Sequence, residues 1–160
     1  MLLSHTAQRE GELLSFLRGE LALSSGLVKR LKWQNAFFLD GAPVHTNARV
    51  KPGQEITVRI EEAPEGFLPQ ALPIDILYED AYMIALDKPA GQLVHPSPRK
   101  NEGTLANALL GYYERTDQPC GIHPVTRLDR DTFGVVLLAK NAHIHAKLCQ
   151  LMKDGAIHKT

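Results

Sequence analysis

Apolar residues along this chain fall into short runs, and the spacing within each run predicts its element. Leu13, Leu14, Leu17 and Leu21 recur at helical spacing. Ser24-Ser25-Gly26 interrupts the run, and either serine offers an N-cap for a second helix. That helix would turn Leu27, Val28 and Leu31 inward, with Lys29, Arg30 and Lys32 mostly outward. Asp40-Gly41 then separates residues 36–39 from Val44, a strong hairpin signal. Lys51-Pro52-Gly53-Gln54 makes another turn, and residues 55–60 alternate as a strand does.

From residue 61 the pattern changes. Glu61, Glu62, Pro64, Glu65 and Gly66, then Pro69 and Pro73, make an acidic stretch rich in breakers. It predicts a linker over 63–72 between a first unit, 1–62, and a second, 73–160. In the second unit, residues 74–78 and 82–86 read as strands joined by Glu79-Asp80-Ala81. Residues 88–103 are loop-like, and 104–113 form a helix with Leu105, Ala108 and Leu109 on one face. Residues 135–139 read as a buried strand. Residues 143–153 read as a helix turning Ile144, Leu148 and Leu151 or Met152 inward. The expected class is α+β, a small helix-pair and hairpin unit followed by a mixed, mostly antiparallel sheet flanked by helices.

Charge and composition narrow the function. Eighteen basic residues balance eighteen acidic ones, so any nucleic-acid contact has to come from local patches. Cys120 and Cys149 form no Cys-x-x-Cys unit and no zinc set, which fits two reduced thiols in a cytoplasmic protein. The start, Met-Leu-Leu-Ser-His, lacks the basic and apolar regions of a signal peptide. No apolar run nears the roughly 20 residues that span a bilayer. The expectation is a cytoplasmic protein with no membrane partner. His143 and His145, two apart on a helix, point in different directions, so no metal site is expected. Trp33 and Phe37 are expected in the core rather than stacked on bases.

Residues 11–60 resemble the alpha-L RNA-binding motif. The echoes are Leu27-Val28-Lys29-Arg30-Leu31, Leu39-Asp40-Gly41-Ala42-Pro43-Val44 and, most specifically, Val50-Lys51-Pro52-Gly53-Gln54. The physical basis is simple: Lys29, Arg30 and Lys32 project cations from one helix, and Arg49 and Lys51 can join them across the hairpin. Such cations neutralise phosphates and release counterions, and a compact basic face suffices for RNA helices.

Two later segments resemble the RluA-type pseudouridine synthases, and the likeness covers essentially the whole chain. Asp87-Lys88-Pro89-Ala90-Gly91 followed by Val94-His95-Pro96 resembles the family's first signature. Lys88, Pro89 and Gly91 would set a rigid active-site loop, with Lys88 structural rather than facing RNA phosphate. His95 would pack within the loop. Arg127-Leu128-Asp129-Arg130-Asp131-Thr132-Phe133-Gly134 resembles the catalytic signature Arg-Leu-Asp-x-x-Thr-Ser-Gly. The resemblance implies that Asp129, not Asp131, is the nucleophile. It implies that an Arg, Arg127 or Arg130, fills the gap left by the flipped base. Thr132 and Gly134 would shape the turn into the strand. Phe133 departs from the family's Ser and reads as a packing change near the site.

The chemistry suits these residues. Uridine is detached at nitrogen and reattached through carbon, an isomerisation that needs no cofactor. An ionised carboxylate can attack the anomeric carbon or carbon six of the base, or deprotonate the sugar. Such a carboxylate needs a positive partner, and Arg127, two residues from Asp129, would share its side of an extended segment. Without the resemblance, Arg127, Asp129, Arg130 and Asp131 read as a surface ion-pair cluster. Glycoside hydrolysis would want two carboxylates with separate roles and a sugar cleft, which nothing else here supplies. The implied partner is ribosomal or transfer RNA, with no metal.

The family's further basic residue and its base-packing Tyr have no counterpart up to Thr160. The chain is therefore expected to be a fragment with an incomplete catalytic domain and low activity by itself. It would be prone to self-association through exposed sheet edges. The alternative is a non-catalytic RNA-binding fragment of such an enzyme.

Overall fold

The computed structural model describes residues 1–63 and 65–158. Pro64 of the expected linker, and Lys159 and Thr160 of the terminal segment, lie outside the described residues. The chain forms two compact units that divide after Glu61.

The first unit runs β1 (Leu2–Thr6), β2 (Gly11–Glu12), α1 (Leu13–Arg18), α2 (Ser25–Trp33), β3 (Phe37–Leu39), β4 (Ala42–Pro43), β5 (Arg49–Val50) and β6 (Glu55–Arg59). Ser24 caps α2, its hydroxyl accepting the Leu27 N–H at 3.2 Å. Leu27, Val28 and Leu31 are buried as their spacing predicts. Asp40 and Gly41 take φ +49° and +80°, the two left-handed residues of a tight hairpin between β3 and β4. The main sheet runs β1-β6-β3-β4, with Ile56 and Val58 of β6 facing the core. Strand β1, unmarked by the sequence pattern, pairs along all of β6. β5 pairs with β2, so Arg49 is not part of the β3–β4 hairpin.

Trp33 overturns an expectation. It is 82% exposed, while Phe37 is buried. Trp33 is two residues past Leu31, and two steps of an α-helix carry a side chain about 200° round from the buried stripe.

The second unit holds β7 (Asp75–Glu79), β8 (Met83–Lys88), α3 (Leu105–Arg115), β9 (His123–Pro124), β10 (Gly134–Ala139) and α4 (Ala142–Lys153). Its sheet runs β7-β8-β10-β9, and every pairing described is antiparallel, in keeping with the mostly antiparallel sheet expected. Ile84, Leu86, Val136 and Leu138 line one sheet face and pack with Leu105, Leu109 and Tyr113 of α3. Thr104 and Asn107 close a capping box at the start of α3.

Residues 68–70, expected in a free linker, form a strap on α3. The Gln70 N–H donates to the Asn107 carbonyl at 3.0 Å, and the Asn107 amide donates to the Leu68 carbonyl at 2.8 Å. Gly111 makes room for this strap. A Cβ there would fall on the Gln70 carbonyl oxygen and lie 2.8 Å from its carbonyl carbon. Gly→Ala within a helix ordinarily gains about 1 kcal/mol. Here Gly111→Ala should instead destabilise by roughly 1–3 kcal/mol, as overpacking against backbone does. A thermal melt reads the sign, and a raised melting temperature would contradict the strap.

Helix α4 turns its expected face inward, with Leu148 buried and Ile144 and Met152 half-buried, but it also buries His143, which the spacing did not place there. Leu151 is 43% exposed. Burial first, and the Lys147 cation second, hold His143 below its ordinary 6.5. Its Nε2 is buried without a hydrogen-bond partner among the described residues. As pH falls through about 6.5 the unfolded chain takes up a proton that the folded chain refuses, so stability falls with it. Melting temperatures at pH 7 and pH 5 should differ less in His143→Gln than in the parent. Equal pH slopes would remove His143 from that role.

Candidate active site

Two loops meet at one end of the second sheet because β8 and β10 are antiparallel neighbours, with Lys88 opposite Gly134. The chain leaving β8 and the chain entering β10 therefore lie side by side. These are the two signature segments.

Lys88 joins them. In a strand, side chains two apart share a face, so Lys88 follows Ile84 and Leu86 onto the buried side. It is fully buried. Its ammonium donates to three carbonyls: Gln92 at 2.8 Å, Pro89 at 2.9 Å and Arg130 at 3.0 Å. The Gly91 N–H donates to the same Arg130 carbonyl at 2.8 Å. Gly91 holds φ +84°, which a side chain would resist. Lys88 thus has its place inside the joint, out of reach of an RNA phosphate. Burial pulls its pKa down, opposed by the carboxylates of Asp131 and then Asp129.

That electrostatic link corrects one expectation. No ion pair joins Arg127 to Asp129 among the described residues, and both side chains are exposed. The segment carrying them is not a strand, so the rule that places alternate residues together does not apply. Arg130 instead makes an exposed pair with Asp131 at 3.7 Å. The Asp129 carboxylate acts instead on buried Lys88, whose charge it favours.

The loop around Asp129 is tied down by backbone and hydroxyl contacts. The Thr126 hydroxyl accepts the Leu137 N–H at 2.9 Å, and the Thr132 N–H donates to the Asp129 carbonyl at 3.2 Å. Gly134 enters β10 at φ +128°, again a conformation suited to glycine. Phe133, at the position where the resemblance places a Ser, is 76% exposed. It lines a second hollow with Pro73, Ile74 and Asp75 that also reaches Lys88, Pro89 and Gln92 of the joint.

A cleft of about 520 Å³ opens beside Asp129. Arg127, Leu128 and Arg130 share its lining with Asp129, and Leu93, His95 and Ser97 face it from the other loop. That volume falls in the range of roughly 300–1,000 Å³ typical of small-molecule sites. His95 is exposed rather than packed within its own loop, its ring edge-to-face with Phe67 at 5.1 Å. Phe67 lies in the stretch read as linker, and nothing in its sequence context signalled this place. Arg99 and Lys100 belong to neither signature segment. Both are exposed on a turn closed by reciprocal backbone hydrogen bonds between Ser97 and Lys100 at 2.9 and 3.0 Å. In the first unit, Lys29, Lys32, Arg49 and Lys51 are exposed, and Arg30 is half-buried. No set of three or more metal-ligating side chains converges among the described residues.

Residues 82–160, which contain this joint and cleft, match the family model described as RNA pseudouridylate synthase. The second unit belongs to that family. Similarity to curated pseudouridine synthases also extends into the first unit. YjbO of Bacillus subtilis, named an uncharacterized RNA pseudouridine synthase, is 32% identical over 88% of this chain and 51% of its own length. The ribosomal large subunit pseudouridine synthase D of Pseudomonas aeruginosa is 36% identical over 76% of this chain and 38% of its own. The solved structure of human RNA pseudouridylate synthase domain containing 4 aligns with 50% of this chain and 30% of its own at 23% identity, TM-score 0.41. The chain thus spans about half the length, or less, of the pseudouridine synthases it matches. No helix among the described residues is long and apolar enough to cross a membrane.

Proposed function

We propose that this chain is part of an RNA pseudouridine synthase acting in the cytoplasm. Asp129 is the catalytic carboxylate, and residues 1–61 form an alpha-L RNA-binding unit. The observation that carries the reading is Asp129 on the wall of a nucleotide-sized cleft, on a loop fastened through the Arg130 carbonyl to buried Lys88. A uridine stacked in a helix cannot present its glycosidic bond to a carboxylate, so the target base flips into the cleft. The N1–C1′ bond breaks and a C5–C1′ bond forms. The C5 proton leaves and N1 gains one, so atoms balance without a cofactor. Arg127 and Arg130 stand at the wall where the emptied stack and its phosphates would lie. Lys29, Arg30, Lys32, Arg49 and Lys51 engage the phosphates of the same RNA.

Ribosomal RNA is the favoured substrate, because relatives named for the ribosomal large subunit are among the matches. The test is release of the C5 hydrogen from uridine-labelled ribosomal RNA, with transfer RNA alongside. It uses the 160-residue chain and a version extended to the length of its relatives. Release from ribosomal RNA supports the reading, and release from transfer RNA alone would move the substrate. RNA binding without release by either form would leave only a non-catalytic RNA-binding protein.

A further inference from the structure

Helix α2 ends in an exposed indole that the fold does not use. Trp33 is 82% exposed on the last residue of the helix. Its own turn of helix carries Lys29 four residues back and Lys32 beside it, both exposed. Residues four apart on a helix are surface neighbours, so the Lys29 ammonium can lie next to the ring. The helix, Ser25–Trp33, contains no acidic residue, and neither lysine makes an ion pair among the described residues. Gln34 and Asn35, which follow, are exposed as well.

A single exposed apolar side chain is ordinary on a protein surface. The surroundings decide what this one fits. A protein-binding hot spot sits in a desolvated apolar patch. Trp33 instead has two lysines and two amides about it, and among the described residues no other large exposed apolar side chain lies between Leu14 and Leu68 in the chain. A flat aromatic face flanked by uncompensated cations matches one chemistry well: an unpaired nucleobase with its phosphates. Every base has a π-face, and stacking on an aromatic ring tolerates sequence.

We propose that Trp33 is a stacking platform for an unpaired nucleotide of the RNA substrate, with Lys29 and Lys32 holding the adjoining phosphates. This deepens the RNA-binding reading of the first unit and rests on it. It adds that the first unit engages a single-stranded loop or bulge, where cations alone would grip any RNA backbone.

The chain contains one tryptophan, so its emission reports on this position alone. The 160-residue chain is titrated at low salt with oligouridylate and, separately, with a fully paired RNA hairpin, while fluorescence anisotropy of labelled RNA records binding. Oligouridylate should quench the Trp33 emission, and the duplex stem should quench it much less. Trp33→Ala should weaken oligouridylate binding by about fivefold or more, and Trp33→Phe should retain most of it, since a phenyl ring still stacks. The indole is exposed, so both variants should fold, which circular dichroism checks. Binding without quenching, or Trp33→Ala binding as tightly as the parent, would overturn the platform and leave RNA binding by the unit standing. Failure of the parent to bind either RNA would overturn both. A blue-shifted emission with anionic vesicles, and none of these effects with RNA, would assign the surface to a membrane instead.

Discussion

Asp129→Asn in the extended enzyme should abolish pseudouridine formation while leaving the fold and RNA binding intact. Asparagine keeps the shape of the side chain and removes its charge. An amide is neither a competent nucleophile toward the sugar or base nor a base for the sugar proton, so each route that a carboxylate can take closes. Loss of a single acid–base group costs typically 10²–10⁴-fold, and loss of a nucleophile belongs at or above the upper end. The structure makes the substitution clean. Asp129 is exposed, and among the described residues its only hydrogen bond is through its backbone carbonyl, to Thr132. Stability should therefore change by no more than about 0.5 kcal/mol. RNA affinity should hold or rise slightly, because an anion leaves a cleft that also presents Arg127 and Arg130. The measurement is C5-hydrogen release under single-turnover conditions. The parallel Asp131→Asn should retain turnover. If Asp131→Asn lost turnover and Asp129→Asn kept it, the assignment would reverse.

Lys88→Met should be the most damaging substitution for the fold around the site. The methionine fills similar space but leaves the carbonyls of Pro89 and Gln92 without their donor, and that of Arg130 with the Gly91 N–H alone. Hydrogen bonds to a charged group contribute about 1.5–3 kcal/mol each. Part of that sum is offset, since an apolar side chain escapes the cost of burying an ammonium. A net loss of about 2–4 kcal/mol is expected, which for a chain of this size lowers the melting temperature on the order of 10 °C. Turnover should fall by about 100-fold even below that melting temperature, because a shift of about 1 Å in a reacting group costs that much. Unchanged melting and turnover in Lys88→Met would mean that the Gly91 hydrogen bond alone holds the loops together.

The parts of this molecule legible in its sequence are those whose cause is local. Asp40-Gly41 marked its hairpin because both residues accept left-handed backbone, and Ser24 marked a helix start because its hydroxyl caps the third amide on. Ile84, Leu86 and Lys88 alternate, so the inward direction of Lys88 was implicit in the pattern. So was the outward direction of Trp33, given the phase set by Leu27, Val28 and Leu31. There the expectation failed because an indole's hydrophobicity was weighed above its angular position. Strand β1 was illegible because Leu-Leu-Ser-His-Thr barely alternates, and its pairing with β6 makes it a strand. The strap was hidden because a polar, proline-rich stretch looks the same whether it is free or fastened to Asn107 and Gly103. At the site, the two signature segments were visible, but their joint was not. The acceptor that unites them is the backbone carbonyl of Arg130, and a carbonyl leaves no mark in a sequence.

That joint also sets an order of events. The Lys88–Arg130 hydrogen bond links residues 42 apart, and the chain between them contains α3 and β9. Contacts of such separation form only after the intervening chain has folded and its closure entropy has been overcome. A folding intermediate with β7 and β8 paired but α3 undocked would leave the loop that bears Asp129 undefined. The cleft should therefore be among the last features to appear during refolding. Recovery of activity should then lag behind recovery of helical and strand signals.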